Sequence, residues 1–309
     1  MNVPRVPMLP VKGRVVGVSL ILLFAMPVVW ARGSMVLPGG TADAAETSPN
    51  QPVIRKALPP MSIEEAQAVV KKSPRDTNSY LALGSAYRRA HRNSEALQAF
   101  QKMAALDPAN STAHVSLGAV YMDLKRPKDA EREFRKAIAL NPKDSAAHFN
   151  MGNYFLNADR KDDAAAEFKQ ATALQPPLPD AWVSLGLIQA ELGQATEAVA
   201  SYQKALDADS TNIRALNNLG NSYYGMGKIS EATALYRKAL GVDSKNQEAI
   251  YNLGVAFADA QIYKEAINYW HRVTAIDSTT NVSENARSSI EVLQQYLDQQ
   301  KASATPGAH

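Results

Sequence analysis

Residues 111–144 read STAHVSLGAVYMDLKRPKDAEREFRKAIALNPKD, and residues 145–178 read SAAHFNMGNYFLNADRKDDAAAEFKQATALQPPL. Laid one under the other they align without a gap. Gly118 stands over Gly152, Ala130 over Ala164, Phe134 over Phe168 and Pro142 over Pro176. The same register extends in both directions. Gly84, Gly118, Gly152, Gly186, Gly220 and Gly254 are each 34 residues apart. A glycine inside a helix is worse than alanine by about 1 kcal/mol, so six at one register require a packing reason.

The neighbouring columns supply one. Before each glycine stands a large apolar residue (Leu83, Leu117, Met151, Leu185, Leu219, Leu253). Three residues after it come Tyr87, Tyr121, Phe155, Gln189, Tyr223 and Phe257. Twelve after it is always alanine, from Ala96 to Ala266, and four further on is always an aromatic (Phe100, Phe134, Phe168, Tyr202, Tyr236, Trp270). Spacings of three and four within each half mark one face of a helix. Each unit therefore predicts two helices joined by a short turn, with glycine and alanine as the small residues at their crossing. An acidic residue (Glu95, Asp129, Asp163, Glu197, Glu231, Glu265) falls in the first turn of each second helix, where the helix dipole favours negative charge. Ser94, Thr196 and Ser230 are the expected caps there. Pro108, Pro142 and Pro176 stop the second helices of the first three units, whereas Ser210, Ser244 and Ser278 occupy that place later and predict weaker stops.

These columns resemble the tetratricopeptide repeat family. The resemblance covers 77–280 as six units: 77–110, 111–144, 145–178, 179–212, 213–246 and 247–280. It implies an all-α fold, a right-handed superhelical solenoid of helix-turn-helix hairpins with a concave groove lined mainly by the first helices. Residues 61–76 read as an N-terminal capping half-repeat entered by the capping box Ser62-Ile63-Glu64-Glu65. Residues 281–300 read as a C-terminal capping helix with Ala286, Ile290, Leu293 and Leu297 on one face, and 301–309 as a tail.

Ahead of the repeats, Arg5, Lys12 and Arg14 precede an apolar run from Val15 to Ala31. Residues 1–32 are thus expected to be a transmembrane signal anchor, with the N-terminus cytoplasmic and the repeats extracytoplasmic, in the periplasm. A cleaved signal ending near Val29 and Ala31 is the other reading. Residues 33–60, rich in Gly, Pro, Ala, Ser and Thr, read as a flexible linker.

Chemistry is scarce. The chain has no cysteine, which removes disulfides, thiolate metal sites and a thiol nucleophile. His114 and His148 lie one repeat apart on a column otherwise held by Tyr80, Trp182, Leu216 and Ile250, which reads as a large packing position and not a metal site. His91 and His271 are expected in solvent. Residues 220–228 (GNSYYGMGK) lack lysine directly after the second glycine and so fail as a phosphate loop; Gly225 and Gly227 read as turn residues. No catalytic residue, cofactor or metal is expected.

The informative residues are those the fold does not need. Asn150, Asn153, Asn157, Asn217, Asn218, Asn221 and Asn252 cluster around the glycine column, although asparagine is an indifferent helix former. Its amide offers a donor and an acceptor to the backbone of an extended peptide. The set resembles the asparagine ladder of peptide-binding superhelical tetratricopeptide proteins, diluted by Ala82, Ser116 and Ser184. It does not resemble the carboxylate clamp of chaperone-docking members. Leu81, Val115, Phe149, Val183, Tyr224 and Tyr251 are the expected apolar anchors. Bonding of these asparagines to neighbouring turns or to water is the alternative.

Net charge is only +3, which argues against nucleic acid. It divides unevenly: residues 1–144 carry 20 Lys/Arg against 12 Asp/Glu, and the remainder 13 against 18. Arg88, Arg89 and Arg92 form a candidate patch for an acidic partner or an anionic membrane, or simply a solvated surface. The expectation is a membrane-tethered scaffold binding extended segments of other proteins. A self-associating coat built on charge-complementary ends is the alternative.

Overall fold

The structure, a computed structural model, describes residues 61–174 and 178–304. The expected anchor at 1–32, the linker at 33–60 and the proline stop at Pro176 lie outside the described residues. Among those residues no helix is long and apolar enough to cross a membrane.

All regular structure among the described residues is helical. Helix α1 (Ile63–Lys72) is followed by α2 (Thr77–Arg89), α3 (Asn93–Leu106), α4 (Ser111–Asp123), α5 (Pro127–Leu140), α6 (Ser145–Asn157) and α7 (Lys161–Ala173). Then come α8 (Pro179–Glu191), α9 (Ala195–Ala208), α10 (Ile213–Gly225), α11 (Ile229–Val242), α12 (Gln247–Asp259), α13 (Tyr263–Ile276) and α14 (Asn281–Ala304). Within each compact unit they pack consecutively as hairpins, and α14 continues four residues beyond the expected capping helix. The chain divides into two compact units between Ala215 and Leu216, within α10. In the first, a continuous apolar core runs from Leu81 to Ile188. In the second, Ala286, Ser289, Ile290 and Leu293 of α14 are buried, and Tyr251 of α12 reaches Ser289.

The glycine column has a more specific cause than backbone approach. A Cβ built at Gly84 would sit 2.3 Å from the Phe100 ring. The same collision repeats at Gly118 with Phe134, Gly152 with Phe168, Gly186 with Tyr202, Gly220 with Tyr236 and Gly254 with Trp270. Each first helix thus surrenders a side chain so that the aromatic of the second can lie flat on its backbone. The alanine column, from Ala96 to Ala266, is fully buried beside it.

The helix caps differ from expectation. The second helices start at Asn93, Pro127, Ala195 and Ile229, so Ser94, Thr196 and Ser230 fall inside the first turn; Arg92, Gln194 and Lys228 occupy the cap without a side-chain bond. It is the first helices that are capped. Asp76, Asn110, Asp144, Asn212 and Asn246, on the 34-residue register that skips 178, accept from backbone N–H groups of the first turn, and Thr280 does so for α14. Unit four has Leu178 there and no such bond. Ser62 and Glu65 close the capping box of α1 reciprocally.

The later second helices also stop in register without proline. Asp107, Asn141, Asp209, Asp243 and Asp277 each accept, through Oδ1, the N–H two residues on. This side-chain turn forms beside Pro108 and Pro142 and equally where Ser210, Ser244 and Ser278 stand in place of proline, so the stop does not depend on the proline.

Candidate peptide-binding face

Inside each hairpin the turn is built by two further columns. The backbone at His91, Lys125, Asp159, Gly193, Gly227 and Gln261 is left-handed, with φ between 55° and 76°. The next residue's N–H then reaches back to a carbonyl five residues earlier, as in Arg92 to Tyr87 (2.9 Å) and Arg126 to Tyr121 (2.8 Å), the Schellman closure of a helix. That closure stacks the cation on the aromatic. Arg92 lies over Tyr87, Arg126 over Tyr121, Arg160 over Phe155 and Lys228 over Tyr223, at 4.4–5.3 Å from the ring centroids. Unit four holds glutamine at both positions, Gln189 and Gln194. This five-residue pairing was readable in the sequence once the aromatic column was drawn.

These turns account for the arginine patch. Arg92 stacks on Tyr87 and bonds Glu95 (2.8 Å). Arg89 donates to the Met61 carbonyl (2.7 Å), and Arg88 to Asp123 (2.5 Å). The expected cluster is therefore three arginines each occupied within the fold.

His114 and His148 are polar bridges, not mere packing. Each Nδ1 meets a glutamate of the second helix, Glu133 at 2.8 Å and Glu167 at 2.7 Å. Each Nε2 meets the carbonyl of a turn proline, Pro108 at 3.2 Å and Pro142 at 3.0 Å. In the first unit Tyr80 donates its hydroxyl to the equivalent carbonyl, Pro74, at 3.2 Å. In the first three units, then, this position holds a ring with a polar atom at that carbonyl, whereas Leu216 and Ile250 are apolar packing residues. For His148, the bond to Glu167 raises its pKa above the ordinary histidine value; burial opposes this, and the Pro142 carbonyl and Asp144 add to it. His91 and His271 are exposed, and no group among the described residues is placed to hold a metal.

The expected groove anchors are in the interior. Leu81, Val115, Phe149 and Val183 are at most 3% exposed. Tyr224 and Tyr251 are buried too, Tyr224 donating to Asp259 and Tyr251 contacting Ser289. They are core residues because the first helices of successive units close over them, which a column count on one helix does not reveal.

Most of the asparagines are likewise spoken for. Asn150 donates to the Ala146 carbonyl at 2.8 Å. Asn217 donates to Asn246 and Glu248. Asn221 accepts from both Tyr236 (2.8 Å) and Asn252 (2.9 Å). Burial raises the Tyr236 phenol far above its usual pKa, so it remains a donor. Asn157 is exposed at the end of α6, and Asn218 is half-buried in α10.

Asn153 is different. It is 5% exposed, yet neither amide atom has a hydrogen-bond partner. The equivalent positions one repeat away hold Ala119 and Leu187, which offer nothing polar. A buried amide left unpaired is unfavourable by about 1–3 kcal/mol, and such groups are rare in folded proteins.

Helical hairpins repeating every 34 residues around a glycine–aromatic contact define a tetratricopeptide-repeat protein. The chain belongs to the family described as the cilia and flagella-associated protein 70 C-terminal domain, whose model matches residues 44–289. No curated protein sequence matches it. Among solved structures it is similar to PilF of Pseudomonas aeruginosa (18% identity, TM-score 0.61, covering 73% of this chain and 98% of that one). It is also similar to PilW, described as a widely conserved type IV pilus biogenesis factor (20%, 0.59, 68% and 97%). A third is YrrB, described as a TPR protein with an unusual peptide-binding site (19%, 0.50, 62% and 99%). At these identities the likeness is one of fold.

Proposed function

We propose that this chain is a membrane-tethered scaffold that binds extended segments of partner proteins along its first helices and so organises an envelope complex. Asn153 carries the reading. Its amide donor and acceptor are buried with no partner among the described residues, and a side-chain rotation that brings them to the surface would let them pair with the backbone of an extended peptide. Repeat solenoids commonly present extended binding surfaces to protein partners, which supports the same class. The tether rests on the apolar run Val15–Ala31 behind Arg5, Lys12 and Arg14, which favours a cytoplasmic N-terminus and extracytoplasmic repeats.

The test is Asn153→Leu, which replaces the amide by an apolar side chain of similar size. The variant should melt at the same temperature as the parent or higher, because an unpaired buried amide has been removed. Cross-linked pull-down from membranes should at the same time lose the partners that the parent captures. Recovery of those partners by Asn153→Leu would refute the peptide-binding reading. Extraction of the full chain from membranes by alkaline carbonate would refute the integral tether.

A further inference from the structure

We infer that the outer face of the second helices α3, α5, α7 and α9, in the compact unit that ends at Ala215, is an electrostatic docking surface for an anionic lipid bilayer. On α3, α5, α7 and α9, the positions spaced i, i+3, i+4 and i+7 from Gln98, Arg132, Ala166 and Ala200 form one stripe per helix. All sixteen positions are exposed. Six are basic (Lys102, Arg132, Arg135, Lys136, Lys169, Lys204) and one, Asp207, is acidic.

The imbalance has a structural origin. Most glutamates of these helices turn inward or sideways to serve the fold, although Glu197 of α9 is exposed. Glu131 accepts from Tyr154, Glu133 faces His114, and Glu167 faces His148. Only Arg132 and Arg135 of the stripe find carboxylates, on Asp129, Glu133 and Glu131. Lys102, Lys136, Lys169 and Lys204 form no ion pair with any described residue. The fold thus engages Glu131, Glu133 and Glu167 and leaves these cations facing out.

The remaining side chains select the partner. No apolar residue larger than alanine lies in the stripe, so it lacks the aromatic or aliphatic anchors of a specific protein interface. It also lacks any aromatic on which nucleic-acid bases could stack. Alanines at Ala105, Ala139, Ala166, Ala173 and Ala200 give it low relief. Low relief with dispersed lysines suits a broad anionic surface, where each cation adds to partitioning independently.

This inference rests on the proposed tether only for how the bilayer comes within reach, and the experiment separates the two. The chain has no cysteine, so Gln170→Cys gives one dye position within the stripe. Energy transfer from that dye to a headgroup acceptor is measured with the full chain, both reconstituted into vesicles and added to preformed ones. The vesicles are phosphatidylcholine alone, or with about a third phosphatidylglycerol. Docking predicts higher transfer on the anionic vesicles at about 0.05 M salt, falling to the phosphatidylcholine level at about 1 M, where screening is nearly complete. The added protein should lose more than about a hundredfold in partitioning when Lys102, Lys136, Lys169 and Lys204 are all changed to Gln. Transfer independent of lipid charge, or unchanged in the quadruple variant, overturns the inference. So does a salt-sensitive response to a duplex oligonucleotide with none to vesicles. A chain that stays in vesicles at high salt without lipid-charge-dependent transfer keeps the tether and loses the docking face. One that washes off at high salt but docks at low salt does the reverse.

Discussion

His148 Nδ1 stands 2.7 Å from Glu167 Oε2 while its Nε2 faces the Pro142 carbonyl at 3.0 Å. A carbonyl and a carboxylate are both acceptors, so both contacts are hydrogen bonds when the ring carries two protons. The folded state therefore binds that proton more tightly than the unfolded chain, in keeping with the raised pKa. A raised histidine pKa means the bridge's stability is fully present below the unfolded value, roughly 6.5, and is lost as pH rises through the folded value. His148→Tyr, which preserves a donor to Pro142 as Tyr80 does to Pro74, removes the titration. Urea unfolding across this range should show parent and variant differing most at the acidic end and converging as pH rises. A difference that is flat with pH would contradict the assignment.

The glycine column predicts a size-limited site. Gly152→Ala should destabilise by about 1–3 kcal/mol, because its Cβ would lie 2.6 Å from the Phe168 ring. Phe168→Leu in the same chain should recover part of that loss. Thermal unfolding of the four chains gives the coupling, and strict additivity would mean that the ring is not what excludes the side chain.

The turns predict a gain. Lys125 holds φ at 57°, a conformation that disfavours side chains, and it is exposed. Lys125→Gly should therefore stabilise by about 0.5–1 kcal/mol, whereas Gly227→Ala, at φ 76°, should destabilise by a similar amount. Denaturant midpoints at constant slope measure both.

The cation over the turn aromatic predicts a modest coupling. Arg160 lies 4.4 Å from the Phe155 centroid. A double-mutant cycle of Arg160→Gln with Phe155→Leu should return about 0.5–1 kcal/mol of interaction energy. A coupling near zero would leave the stacking as a geometric by-product of the Schellman turn.

The helix pairing was legible in the sequence because six copies of one unit repeat every contact that lies within 34 residues. A constraint met six times appears as a column. Gly84, Ala96 and Phe100 were readable for that reason, although that the glycine yields to the ring and not to the opposite backbone was not. The caps Asp76, Asn110 and Asp144 and the cations Arg92, Arg126 and Arg160 were periodic too, although Leu178 and Gln194 break both columns in unit four. Asn153 was visible as one of seven asparagines, but not as the one whose buried donor and acceptor both lack a partner among the described residues, where Asn217 lacks one only at Oδ1.

The sequence by itself determined the local unit: where each helix lies, which residues face its hairpin partner, and that one glycine is needed per crossing. Those are short-range matters of periodicity and sterics. Only the tertiary structure decided which polar groups have partners. Burial of Leu81, Val115, Phe149 and Val183 depends on the next hairpin arriving, and so does the bond from Asn217 to Asn246. Hydrogen bonding and solvent exclusion are set by everything that closes around a side chain. For this chain that includes residues a full repeat away.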